Sequence, residues 1–285
     1  MNKKLLTGIG ISGVMMLGSV YSISANTSGY DLYKSALKET HTADSATMSM
    51  KLNLVDNNKS FFSANSLLKM DVKNQLSSIS TQLANESEKS NMNMYKQDGN
   101  WFVEKDGTET IYKMKMSSPH HKNTAELQDD VENLIDVITK NLQQQITVSE
   151  NKNGRHTIEL DLTGKEIPLT ANALSTLMIK HSVMLQDNTE QINSSFHIKP
   201  TMPELDHEIT FKQIMLEADV NKENYIEEQT VKAVVTGKDK QGKIHELSFN
   251  IKMNVSDYNQ TTVKPVVIPG NNVKELDLNH GHSSN

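Results

Sequence analysis

The 285-residue chain has no cysteine. No disulfide can staple it, no thiolate can bind zinc or attack a carbonyl, and no lipid can be attached through sulfur. Arginine is almost as scarce, with Arg155 the sole one among 29 basic side chains. Planar, bidentate recognition of phosphates and bases is arginine's chemistry, and the formal net charge of -6 repels nucleic acid, so that class of partner is excluded. Six prolines and 13 glycines are too few for a collagen-like or low-complexity chain. There is no Gly-x-Ser-x-Gly, no phosphate loop, no dinucleotide fingerprint and no His-Glu-x-x-His. A non-catalytic protein without a cofactor is therefore expected.

What is present begins with a basic start, Lys3-Lys4. An apolar and small-residue run follows from Leu5 to Val20, then the small-residue site Ser22-Ile23-Ser24-Ala25. This is the order of a secretory signal, and the glycine-broken run is short for a membrane span. The expectation is a signal peptide over 1–25, cut after Ala25. The mature protein would then be secreted or associated with the cell envelope, with no transmembrane anchor after processing.

The mature chain opens on a capping box, Ser28-Gly29-Tyr30-Asp31. Tyr30, Tyr33, Ala36, Leu37 and Thr40 then fall at helical spacing. From about residue 45 the period changes to two. Ala46, Met48, Met50, Leu52 and Leu54 alternate with polar residues, as do Phe62, Ala64, Ser66, Leu68 and Met70 after the turn Asp56-Asn57-Asn58. Further hairpins are expected around Asp98-Gly99, Asp106-Gly107 and Asn153-Gly154. Strands are predicted near 146–148, 158–162, 214–220 and 231–235, and the clearest alternation runs from Leu247 to Val255. Two stretches carry helical stripes between these strands. One follows Asn123, with Leu127, Val131, Leu134, Ile135, Ile138 and Leu142. The other follows Pro168, with Leu174, Leu177, Met178, His181 and Leu185. Residues 187–206 read as a polar connecting loop or a domain boundary, and the pattern stops after Thr262.

The hairpin segment Met94-Tyr-Lys-Gln-Asp-Gly-Asn-Trp-Phe-Val-Glu-Lys-Asp-Gly107 is similar to hairpins of the LolA and LppX/LprG lipoprotein-carrier-like families. The opening Tyr30-Asp-Leu-Tyr-Lys-Ser-Ala-Leu37 resembles the first helix of their secreted Gram-positive relatives. The chain lacks the lipidated cysteine of LppX/LprG. The resemblance implies an α+β fold, a large curved antiparallel sheet (half-barrel) covered by the N-terminal helix and the two middle helices. It would form a single domain over 26–262 with a C-terminal extended tail over 263–285. It also implies a hydrophobic cavity for a lipid or acyl chain between sheet and helices.

Methionine is plentiful, and several pairs are spaced Met-x-Met at 48/50, 92/94 and 114/116. On strands that spacing puts both side chains on one face. Three readings follow: a methionine-rich core, a soft wall for an apolar ligand, or thioether ligands for copper(I). The candidate wall comprises Met48, Met50, Leu68, Met70, Met114, Leu134, Ile138, Leu177 and Met253. No metal site is expected from His120-His121 or His280-Gly-His282, because neither pair has a third ligand at a recognised spacing. Asp129-Asp130 and Glu227-Glu228 read as solvated charge. Two functions remain open. One is a binding protein with a lipid or other hydrophobic ligand in the cavity. The other is an envelope or spore-surface structural protein with a filled core.

Overall fold

The Ser28 hydroxyl accepts the Asp31 backbone N–H at 3.2 Å, and the Asp31 carboxylate accepts the Ser28 N–H at 3.3 Å. This reciprocal cap satisfies two donors that a helix start would leave open. It launches α1 (Gly29–Thr42). The computed structural model describes residues 28–105, 110–115, 143–151, 153–169, 202–268 and 273–277.

Strands account for nearly all the regular structure that follows. In chain order they are β1 (Ser45–Asp56), β2 (Lys59–Asp71), β3 (Leu76–Asn85), β4 (Lys89–Gln97), β5 (Asn100–Lys105) and β6 (Ile111–Lys115). After them come β7 (Thr147–Asn151), β8 (Arg155–Thr163), β9 (His207–Val220), β10 (Ile226–Lys238), β11 (Ile244–Ser256) and β12 (Val273–Asp277). They form one twelve-stranded sheet in the order β12-β6-β5-β4-β3-β2-β1-β11-β10-β9-β8-β7. The two halves of the chain meet where β1 pairs antiparallel with β11, Met50 opposite Met253 and Leu52 opposite Ile251.

The turns have the chemistry their positions require. Asn57 and Asn58 take φ of 47° and 66°, and Asp98 and Gly99 take 51° and 72°. Two left-handed residues in a row match the twist of the flanking strands, and asparagine, aspartate and glycine tolerate that conformation best. The Asp106-Gly107 turn lies outside the described residues.

The alternation separates two faces. Leu52, Leu54, Phe62, Ala64, Ile158, Ala218, Val220, Ile251, Met253 and Val255 pack with Ala36 and Leu37 of α1 into the main core. The opposite face carries Lys51, Asn53, Lys232, Lys252, Asn254 and Glu217, at positions one residue out of phase with the core. Two smaller clusters flank the main one: Leu160, Leu162 and Ile167, and Leu205, Ile209, Val235 and Leu247.

The expected α+β half-barrel with three helices is corrected here. The described residues form one large, almost wholly antiparallel sheet with a single α-helix, and they do not establish a half-barrel. The physical reason is that period-two alternation dominates the described chain, so its apolar residues are spent on sheet faces rather than on helical stripes. The stripes expected after Asn123 and Pro168 lie outside the described residues.

The segment expected as an extended tail over 263–285 is tied to the sheet. Thr261 Oγ1 meets Thr47 Oγ1 at 2.8 Å on the polar face. Gln97 then holds the Val266 backbone twice, donating to its carbonyl at 3.0 Å and accepting its N–H at 2.8 Å. Beyond this strap β12 adds to β6 in parallel, the only parallel pairing among the described strands.

Candidate functional site

The sheet register brings six of the nine expected wall residues to one face. Met48 lies opposite Leu68 on one side and Val255 on the other, Met50 lies opposite Met253, and Met70 lies opposite Ala46. Met114 reaches the same face through Trp101, Val103, Met94 and Ile79. They do not form one patch. Five strand spacings separate β6 from β1, about 24 Å along the sheet. Leu134, Ile138 and Leu177 lie outside the described residues.

Burial divides these six. Met253 is 3% exposed and belongs to the core beneath α1. Met48 and Met50 are half-buried against that core. Leu68, Met70 and Met114 are half-buried and belong to none of the three clusters. The apolar face is therefore packed at Met253 and at Phe62 and Ala64 of β2, and less closed at Leu68 and Met70 further along β2.

A polar hollow of about 300 Å³ lies across the sheet, lined by Asn151, Arg155, Asp219, Glu227, Glu228 and Asn254. Arg155 grips both oxygens of Glu227 at 3.0 and 2.8 Å. Lys252 bonds Glu228, and Asp219 accepts the Thr157 hydroxyl at 2.7 Å. Arg155, Glu227 and Glu228 each have a partner of opposite charge, and Asp219 is held by a neutral hydroxyl. Glu227 and Glu228, expected as solvated charge, are each paired with a cation on the strand face.

The third arrangement was not visible in the sequence. His245 is 5% exposed and sits between two carboxylates. Its Nδ1 is 2.8 Å from Asp56 Oδ2, and its Nε2 is 3.3 Å from Asp239 Oδ2. Asp56 closes β1, Asp239 opens the turn from β10 to β11, and His245 stands on β11. An aspartate on Nδ1 is half of a nucleophile-activating relay, but such a relay needs a hydroxyl or thiol at Nε2. Here Nε2 ends on a carboxylate, so the set activates nothing. The two carboxylates also meet opposite nitrogens of the ring, so they cannot converge on one metal ion. Among the described residues no group of histidine and acidic side chains has metal-binding geometry.

No protein-family model matches the chain, and no curated protein does. Among solved structures, a variant of the PpsC dehydratase domain from Mycobacterium tuberculosis is 10% identical, with 79% of this chain and 82% of that one covered at a TM-score of 0.12. A hot dog-fold protein of unknown function from Alicyclobacillus acidocaldarius is 9% identical, covering 80% and 86% at the same TM-score. Likenesses at that score define neither fold nor activity for this chain.

Proposed function

We propose that the protein is an exported, non-catalytic binding protein that holds a lipid or other acyl-chain ligand against the apolar face of its sheet. One observation carries the reading. Leu68 and Met70 on β2 stand half-buried on the apolar face, next to Met48 and Met50 but outside the packed clusters. Methionine and leucine at such positions make an adaptable apolar surface, since the unbranched thioether follows irregular shapes. Burying an acyl chain there gains about 0.8 kcal/mol per methylene removed from water.

Native mass spectrometry of protein isolated from its own host tests the proposal. A co-purified lipid, lost when Leu68 and Met70 are replaced by polar residues, is the expected result. Ligand-free protein that also fails to take up fatty acid would defeat it. A specific observation favours the second reading, a structural protein with a filled interior: Met253 and Val255, on the same face, are 3% and 4% exposed beneath α1. Under that reading the Leu68 and Met70 substitutions alter stability alone and leave uptake of hydrophobic probes unchanged.

A further inference from the structure

We propose that His245 is a protonation-dependent latch between two hairpin turns at one end of the sheet. A neutral imidazole has one N–H and one lone pair, whereas the imidazolium has two N–H donors. Both ring nitrogens face a carboxylate oxygen, at 2.8 and 3.3 Å. Only the doubly protonated ring donates to both. Removing one proton turns a ring lone pair towards a carboxylate oxygen and converts an attraction into a repulsion. The ring is buried, so water cannot readily replace the lost contact.

The two carboxylates are fixed by their turns. Asp239 Oδ1 accepts the backbone N–H groups of Gln241 and Lys243, each at 2.9 Å, which leaves Oδ2 aimed at the ring. Burial works to raise the Asp239 carboxyl, but the bonds from Lys243, His245 and Gln241 outweigh it and hold the carboxyl below its ordinary value. Asp56 Oδ1 is buried without a partner, so Asp56 engages only through the oxygen that faces His245. Asn57, the next residue, ties the β1–β2 turn to β11 through Glu246 and the Ile244 carbonyl. Gly237, opposite His245, leaves room for Leu205 and Ile209, so the latch borders the cluster of Leu205, Ile209, Val235 and Leu247.

Most of the other charges around the latch are paired elsewhere. On β2, Lys59 opposes Asp56 and bonds Glu86. On β10, Lys238 bonds Glu208 of β9. On β11, Glu246 bonds Lys212 of β9. In the segment leading to β9, Asp206 contacts His207, and Glu204 holds Lys240 of the β10–β11 turn. Lys243, whose N–H caps Asp239, completes the ionisable groups of that turn. One proton on His245 therefore adds a bond that joins the two turns to those that hold each turn in place.

The test is urea unfolding of the mature protein from about pH 5 to about pH 8, where histidine titrates, with His245→Gln as reference. The reference subtracts other histidines, including His41, whose partly buried ring is held below its ordinary value and acts in the opposite direction. The wild-type minus reference difference should show the folding constant falling as pH rises, the direction expected when the ring gives up one of its two donated bonds. Asp239→Asn supplies the second arm. Its Oδ1 keeps the turn, and its amide donates to a neutral Nε2, so the trend should reverse and stability should rise with pH. Nitrogen chemical shifts of the ring report its protonation directly. A flat difference, an unreversed trend in Asp239→Asn, or a neutral ring at pH 5 would each overturn the latch.

Discussion

The Tyr33 hydroxyl, on α1, donates to the side-chain carbonyl of Gln229, on β10, at 3.0 Å. Gln229 is 2% exposed, a polar side chain in the middle of the apolar face. The bond holds the helix to the sheet at a point where apolar packing alone would leave an amide unsatisfied. Tyr33→Phe should therefore cost about 1–3 kcal/mol, the price of a buried carbonyl without a donor. Chemical denaturation measures it. Adding Gln229→Met to Tyr33→Phe removes both polar partners and should restore part of the loss, a recovery that independent packing defects would not give.

Alkaline pH should unlock the same region. Burial drives the Tyr33 hydroxyl far above its ordinary value, against the lowering effect of its bond to Gln229. Burial likewise pushes Tyr258 up to about 12, from an ordinary value of 10. Tyr258 stacks on Tyr225 with ring centroids 4.3 Å apart and donates to the Ile226 carbonyl. The sign follows from linkage. Above about pH 10 the unfolded chain releases these protons and the folded chain keeps them, so the folded state binds more protons and stability falls as pH rises. The contribution is intact below about pH 10 and is lost through about pH 12. Absorbance of tyrosinate near 295 nm should rise in two stages. The later, steeper stage, from Tyr33 and Tyr258, should coincide with loss of the far-ultraviolet β signal. Titration of all tyrosines in one step near pH 10 would contradict the burial of both rings.

Gly29 tests how α1 seats on the sheet edge. A Cβ at this position would lie 2.8 Å from Ile146 Cγ2, 2.9 Å from the Ile146 carbonyl oxygen and 2.9 Å from Val148 Cγ2. A methyl branch can rotate away, but a backbone oxygen cannot. Alanine is the better helix former by about 1 kcal/mol, which on propensity alone predicts stabilisation. The close approach should win, with Gly29→Ala net destabilising by about 1–3 kcal/mol. Thermal unfolding decides the sign, and an unchanged or higher midpoint would show that α1 is free to slide.

The parts of this fold that the sequence makes legible are those governed by near neighbours. Alternation through Met48, Met50, Leu52 and Leu54 marks β1 and its buried face, and Ser28 with Asp31 marks the start of α1. The turns at Asn57-Asn58 and Asp98-Gly99 announce themselves by residues that tolerate positive φ. What stays hidden is what register creates. Asp56 and His245 are 189 positions apart and meet only because β1 pairs with β11. Arg155 finds Glu227 across a gap of 72 positions. β12 is five residues with little alternation, and it becomes a strand because Gln97 and Thr47 deliver the tail to the β6 edge. The candidate wall was half legible for the same reason. Period two assigns a side chain to a face, but only the strand order shows that Met114 and Met50 are far apart on it.

The methionines provide the last contrast, because one face holds both packed and open examples. Met253 is 3% exposed among Ala36, Leu37, Ile251 and Val255. Met70 is half-buried and outside every cluster. Truncating a packed methionine removes transfer energy and leaves a cavity, so Met253→Ala should cost about 2–5 kcal/mol. Met70→Ala removes a side chain that water already reaches, and its cost should stay under about 1 kcal/mol. Uptake of a fluorescent fatty acid should divide the other way. Met253→Ala, assayed where it is still folded, should bind like the parent, and Met70→Ala should bind more weakly because the apolar surface beside Ala46 shrinks. Equal stability costs at the two positions would show that the interior is uniformly packed. Unchanged uptake in Met70→Ala would place any ligand away from β2 and would remove the main support for the binding reading.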